Sequence, residues 1–174
     1  MRWLWIDRII ELVPGEKLVA VKCVSLAEEH LRDHFPKDGD LPAKPVHPMS
    51  LIIEGMAQSA GVLVGYTEKF KEKVILAKVT RAEMSDDVGP GETLRFTATI
   101  QQMTPQGAST KGIIERMDHG IGETEFKQIG MCDILFSHID QNMGGLGFPE
   151  HNFVFGENFK TLLRISDIEF DFDE

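Results

Sequence analysis

His34 and Glu54 stand on either side of a loop able to fold back on itself, and together they are the chain's best candidates for acid–base chemistry. An imidazole titrates near neutral pH, so it can take a proton and hold it. A carboxyl group set among apolar residues resists ionising and keeps a proton to give. Glu54 has that setting: from Leu51 to Val64 the residues are apolar or small, interrupted only by Glu54, Gln58 and Ser59. A helix apolar nearly all round is meant to be enclosed, and a carboxylate within one calls for a role. The bland alternatives are an ordinary loop histidine and a structural carboxylate paired with an arginine or lysine.

The element that must position Glu54 is a helix predicted from Pro48 to about Tyr66. Pro48 is assigned its first position, where a missing N–H removes no hydrogen bond. Its start offers unpaired N–H groups and a positive dipole end near Met49 and Ser50, a place for a developing oxyanion. His47, Ser50, Glu54, Gln58 and Gly61 fall three or four apart, hence on one face. Gln58 is placed to reach Glu54 one turn away and fix its rotamer. His47 is either a second histidine of the site or a capping or surface residue. The other histidines, His30, His119, His138 and His151, read as turn or surface residues.

Around this helix the chain reads as β-structure. Ile9–Val13 and Leu18–Leu26 form a hairpin about Pro14-Gly15-Glu16, Ala27–Arg32 makes one helical turn, and residues 37–44 form a loop. Lys69–Lys73 is a solvated charged connection. Four more strands are predicted, in Lys73–Arg81, Leu94–Ile100, Ala108–Met117 and Glu123–Ile139. Gly144-Gly145-Leu146-Gly147 reads as a flexible joint to a C-terminal extension, 141–174. In its last residues Ile168, Phe170 and Phe172 alternate with acids, which suits an edge strand or docking segment better than a helix; a solvated acidic tail is the alternative. Periodicity alone gives a helix on an antiparallel sheet, an α+β fold.

With 174 residues, one domain is the default. The net charge is −10, and without the last eight residues it would still be −5, so nucleic acid is not an expected partner. Cys23 and Cys132 lie in apolar strand-like runs and read as buried reduced thiols, and the His and Cys residues lack zinc-type spacing. No run is long and apolar enough for a membrane span, and the N-terminus meets Asp7 and Arg8 too early for a signal peptide. A cytoplasmic protein is expected.

His34-Phe35-Pro36, then Pro45-Val46 and Pro48, then Leu51, Ile52, Glu54 and Met56-Ala57-Gln58, resemble the active-site signature of the β-hydroxyacyl-ACP dehydratases of fatty-acid synthesis. Glu54 in place of Asp is closer to the FabZ branch than to FabA. The likeness covers roughly residues 1–140 and includes Asp7-Arg8-Ile9, Lys73-Val74-Ile75-Leu76-Ala77 and Val88-Gly89-Pro90-Gly91-Glu92-Thr93-Leu94. It implies a hotdog fold, a sheet of about six antiparallel strands wrapped around one long central helix, spanning 1–140. It implies dehydration of 3-hydroxyacyl thioesters to trans-2-enoyl thioesters, with His34 as base and Glu54 as acid. Met49, Ser50, Gln58, His47 and Phe35 would contact the substrate or its oxyanion, and an apolar tunnel would take the acyl chain. The substrate would be carried on acyl carrier protein or CoA, with no metal or organic cofactor. The assembly would be a homodimer or trimer of dimers, the histidine and glutamate of one site coming from different subunits.

This sequence departs from the family pattern at three places. The loop between His34 and Glu54 is longer than usual, Met49-Ser50 replaces Gly and a small apolar residue, and a basic segment is replaced by Ala82-Glu83-Met84-Ser85-Asp86-Asp87. The last would repel an acidic carrier, which leaves Arg81, Lys78, Lys37 or Lys44 for docking. Two other functions fit the same residues: a hotdog thioesterase, with Glu54 activating water, and a non-catalytic acyl-binding or scaffold subunit.

Overall fold

The computed structural model describes residues 3–71, 73–139 and 156–170. Six strands, β1 (Arg8–Val13), β2 (Lys17–Cys23), β3 (Lys73–Met84), β4 (Glu92–Thr104), β5 (Gly107–Asp118) and β6 (Lys127–Ile139), form one antiparallel sheet in the order β1-β2-β4-β5-β6-β3. Helix α1 (Glu29–Arg32) is a single turn, and helix α2 (Met49–Thr67) packs across the sheet. This is the hotdog fold.

Alternation along the strands explains the wrapping. In β4, Leu94, Phe96 and Ala98 point inward and are buried, and in β2 Leu18 and Ala20 do the same. They close over Ile52, Met56, Ala60 and Leu63 of α2. Helix and sheet approach so closely at Gly55 that a Cβ there would lie 2.8 Å from the Phe96 ring and 2.9 Å from the Trp5 carbonyl. Such an approach needs glycine. Pro48 sits one position earlier than expected, as the residue capping the helix, and its carbonyl accepts the Leu51 and Ile52 N–H groups.

The connection after α2 is not simply solvated: Phe70 is buried against Tyr66 and Phe170. A third helix, α3 (Glu157–Ile165), buries Phe159, Leu162 and Leu163 in the same core as the sheet. After it the Ser166 hydroxyl accepts the Ile9 N–H at 2.9 Å, and Phe170 packs on Tyr66. Residues 166–170 thus dock on β1 and the end of α2 without forming a strand; Phe172, His151 and the glycine joint lie outside the described residues. Cys132 is buried, which pushes its thiol up to about 11, but Cys23 is exposed at the end of β2, against expectation. His138 is likewise not a surface residue but a buried one in β6. Among the described residues, no helix is long and apolar enough to cross a membrane.

Candidate active site

Glu54 lies in the second turn of α2. The helix is enclosed from Gly55 to Gly65, but its first turn is not, so Glu54 is half-buried in a single chain where full burial was expected. Its carboxylate is fixed from one side, since Gln58 Nε2 donates to Glu54 Oε1 at 3.0 Å. Gln58 is itself locked by the N-terminal segment. Its Oε1 accepts the Trp5 N–H at 2.8 Å, and its Nε2 also donates to the Trp3 carbonyl at 3.1 Å. These partners settle the amide's orientation, because an N–H needs the oxygen and a carbonyl needs the nitrogen. The one-turn reach read from the spacing is therefore real, and it leaves Glu54 Oε2 as the oxygen that Gln58 does not occupy.

His34 follows α1 and is half-buried. Its Nδ1 lies 2.8 Å from the Leu31 carbonyl oxygen. A carbonyl can only accept, so Nδ1 carries a proton, and in the neutral ring it is Nε2 that presents the lone pair. Among the described residues no hydrogen bond or ion pair joins His34 to Glu54. Phe35, Leu41 and Met49 expose much of their apolar surface, Phe35 at 83%.

The start of α2 is held by the chain before β4. The His47 N–H donates to the Val88 carbonyl at 2.7 Å, and Gly89 lies so near Pro45 that a Cβ would sit 3.2 Å from its carbonyl. Helix geometry leaves the N–H groups of Met49 and Ser50 without an intrahelical acceptor. Both residues are exposed.

His47 is the largest departure from expectation. It is neither cap nor surface residue but 1% exposed, with Nδ1 2.8 Å from His30 Nε2 and the Trp5 ring against both imidazoles. Burial first, then the neighbouring His30, holds His47 down to about 4, with Glu28 pulling the other way. His30 is thus half-buried in contact with His47 rather than a surface residue. Glu28, His30 and His47 form a cluster that sequence spacing did not reveal, since His47 comes from across the long loop. A buried partner for an apparent surface histidine has no signature in a single sequence.

The grooves of about 680 and 480 Å³ described along the C-terminal segment are lined by residues such as Leu163, Ile168 and Tyr66, away from His34 and Glu54. Of the basic residues considered for carrier docking, Arg81 is paired bidentately with Glu83 and Lys44 lies 2.6 Å from Asp87.

A six-stranded antiparallel sheet of this order around a long helix defines a hotdog-fold protein. Residues 1–118 match the FabA-like domain family. The 3-hydroxyacyl-[acyl-carrier-protein] dehydratase FabZ of Ruminiclostridium cellulolyticum is 34% identical over 127 residues, 71% of this chain and 85% of that protein. The FabZ of Clostridium tetani is 32% identical over 123 residues, 70% of this chain and 82% of that protein. The chain belongs to the FabA-like family. Among solved structures, the dehydratase heterocomplex ApeI:P from Xenorhabdus doucetiae aligns with a TM-score of 0.58 at 14% identity, over 79% of this chain and 84% of that one. A thioesterase family protein from Silicibacter pomeroyi aligns at 0.57 and 12% identity, over 76% and 83%. At such identities these two speak for the fold alone.

Proposed function

We propose that the protein is a hydro-lyase that dehydrates 3-hydroxyacyl thioesters of acyl carrier protein to trans-2-enoyl thioesters in fatty-acid synthesis. The observation that carries this reading is the pair of fixed groups: a histidine whose Nε2 is bare because Nδ1 faces a carbonyl, and a glutamate steered by Gln58. His34 Nε2 takes the proton beside the thioester carbonyl, and the electron pair moves toward the carbonyl oxygen. The Met49 and Ser50 N–H groups at the helix start steady that oxygen. Glu54 gives its proton, held on Oε2, to the hydroxyl, which leaves as water while the double bond forms. His34 then holds one proton more and Glu54 one fewer, and transfer between them through water resets the pair.

The site is completed by a second copy of the chain. Among the described residues of one chain no hydrogen bond or ion pair joins His34 to Glu54, and Phe35 and Met49 are exposed. A partner surface over them would enclose the acyl chain and bring one copy's imidazole to the other's carboxyl. Lys37 and Lys78, which make no ion pair among the described residues, are the cations left for an acidic carrier.

The thioesterase reading rests on fold likeness alone, whereas the relatives at about one-third identity are named as dehydratases. Short and medium 3-hydroxyacyl thioesters on carrier protein and on CoA test the choice. Enoyl product supports the dehydratase; free thiol without enoyl product would transfer the reading to a thioesterase; binding without either product would make it an acyl-binding subunit.

A further inference from the structure

Outside the proposed pair, the described residues place three potential metal ligands together: one ligand atom each from Glu28, His30 and His47 lies within 4.8 Å of the others. The cluster is built rather than incidental. His47 is buried and its backbone is tied to Val88. His30 sits on α1 beside the fully buried Leu31. Glu28 is anchored through Oε1 alone, which accepts the Ser25 N–H and the Lys22 ammonium at 3.0 Å each. Its Oε2 is left facing the histidine pair, 3.9 Å from His30 Nδ1. Trp5 packs against both rings, with centroids at 5.2 and 5.7 Å, and walls off one side.

We infer that Glu28, His30 and His47 form a binding site for a divalent transition cation of the zinc type. Two imidazoles and one carboxylate are a donor set that suits zinc or cobalt and not magnesium or calcium, which take oxygen ligands. Three protein ligands leave a fourth tetrahedral position for water, on the Glu28 and His30 side, where the side chains keep 18% and 19% of their surface exposed. The cation would take the place of the hydrogen bond between His30 Nε2 and His47 Nδ1, and Glu28 Oε2, now nearer the other nitrogen of the His30 ring, would turn toward it. Those nitrogens would part by less than about 1 Å to reach zinc–nitrogen distances of about 2.0–2.1 Å. The Lys22 ammonium opposes a cation, but it holds the other carboxylate oxygen and so orients Oε2. A bound ion would clamp α1, one turn before His34, to the residue that precedes Pro48 and α2. It would thereby brace the two segments that carry the proposed acid–base pair, and the inference stands whatever reaction that pair performs.

The test is direct binding to the full chain after chelation. Calorimetry with Zn²⁺ is expected to show one ion per chain and a raised melting temperature, and Co²⁺ is expected to give the visible bands of a tetrahedral site. His30→Ala and Glu28→Gln, both at partly buried positions, should each weaken binding at least about tenfold. Quenching of Trp5 by Co²⁺ in the unmutated chain gives a readout that does not depend on a variant folding. Absence of binding would overturn the inference and leave a hydrogen-bonded histidine pair. Binding undiminished in both variants would overturn it too, since the ion would then sit elsewhere, for instance at the exposed Cys23.

Discussion

Glu54 stands on a helix of 19 residues sealed by the sheet, its carboxylate reached by an amide that is itself gripped by the backbone of residues 3–5. His34 stands after a helix of four residues, tied by one bond to its own turn, and opens onto a long loop whose apolar side chains face outward. The carboxyl is therefore positioned by the global fold and the imidazole by local geometry. One side of the proposed site is complete in a single chain. The other waits for a surface to pack against.

The largest effects should come from removing the two groups. Glu54→Gln and His34→Ala should each lower kcat by about 10²–10⁴-fold, the usual worth of a general acid or base, with little change in melting temperature. A loss of folding in either variant would mean that its role is structural. Next comes the support on the helix side. Gln58→Ala should cost about 10- to 100-fold in kcat by freeing the Glu54 rotamer. It should also lower stability, since the Trp5 N–H and Trp3 carbonyl lose their partner; an unchanged kcat would break the idea that the fold steers Glu54.

A purely structural change on the same helix gives the contrast. Gly55→Ala should destabilise the chain by about 1–3 kcal/mol through overpacking against Phe96 and the Trp5 carbonyl, read from the denaturant midpoint. Phe35→Ser on the loop side should shift that midpoint by no more than about 0.5 kcal/mol, yet it should weaken self-association and raise KM. Equal destabilisation by both would erase the distinction between the two sides.

The same contrast decides what could be read from sequence. The hairpin and the strands were legible because their apolar residues recur with the period of the element, and the central helix because a long apolar run follows a proline. The Gln58–Glu54 contact was legible because four residues make one turn. The His30–His47 contact was not, because the two histidines meet across a loop and nothing local marks it. Nor was the place of α3 in the core: Phe159, Leu162 and Leu163 recur at helical spacing, but the acidic run that follows them draws the eye to a tail. Cys23 reads as buried from its apolar neighbours, but it ends its strand, where alternation no longer sets exposure.

The most direct measurement is enoyl-thioester formation from a 3-hydroxyacyl carrier protein by His34→Ala chains, by Glu54→Gln chains, and by the two unfolded and refolded together. The account predicts that each variant alone shows turnover lowered by about 10²–10⁴-fold and that the mixture recovers turnover, because a mixed assembly contains one site with both groups intact. Turnover undiminished in either variant alone, or a mixture that assembles but recovers none, would contradict it.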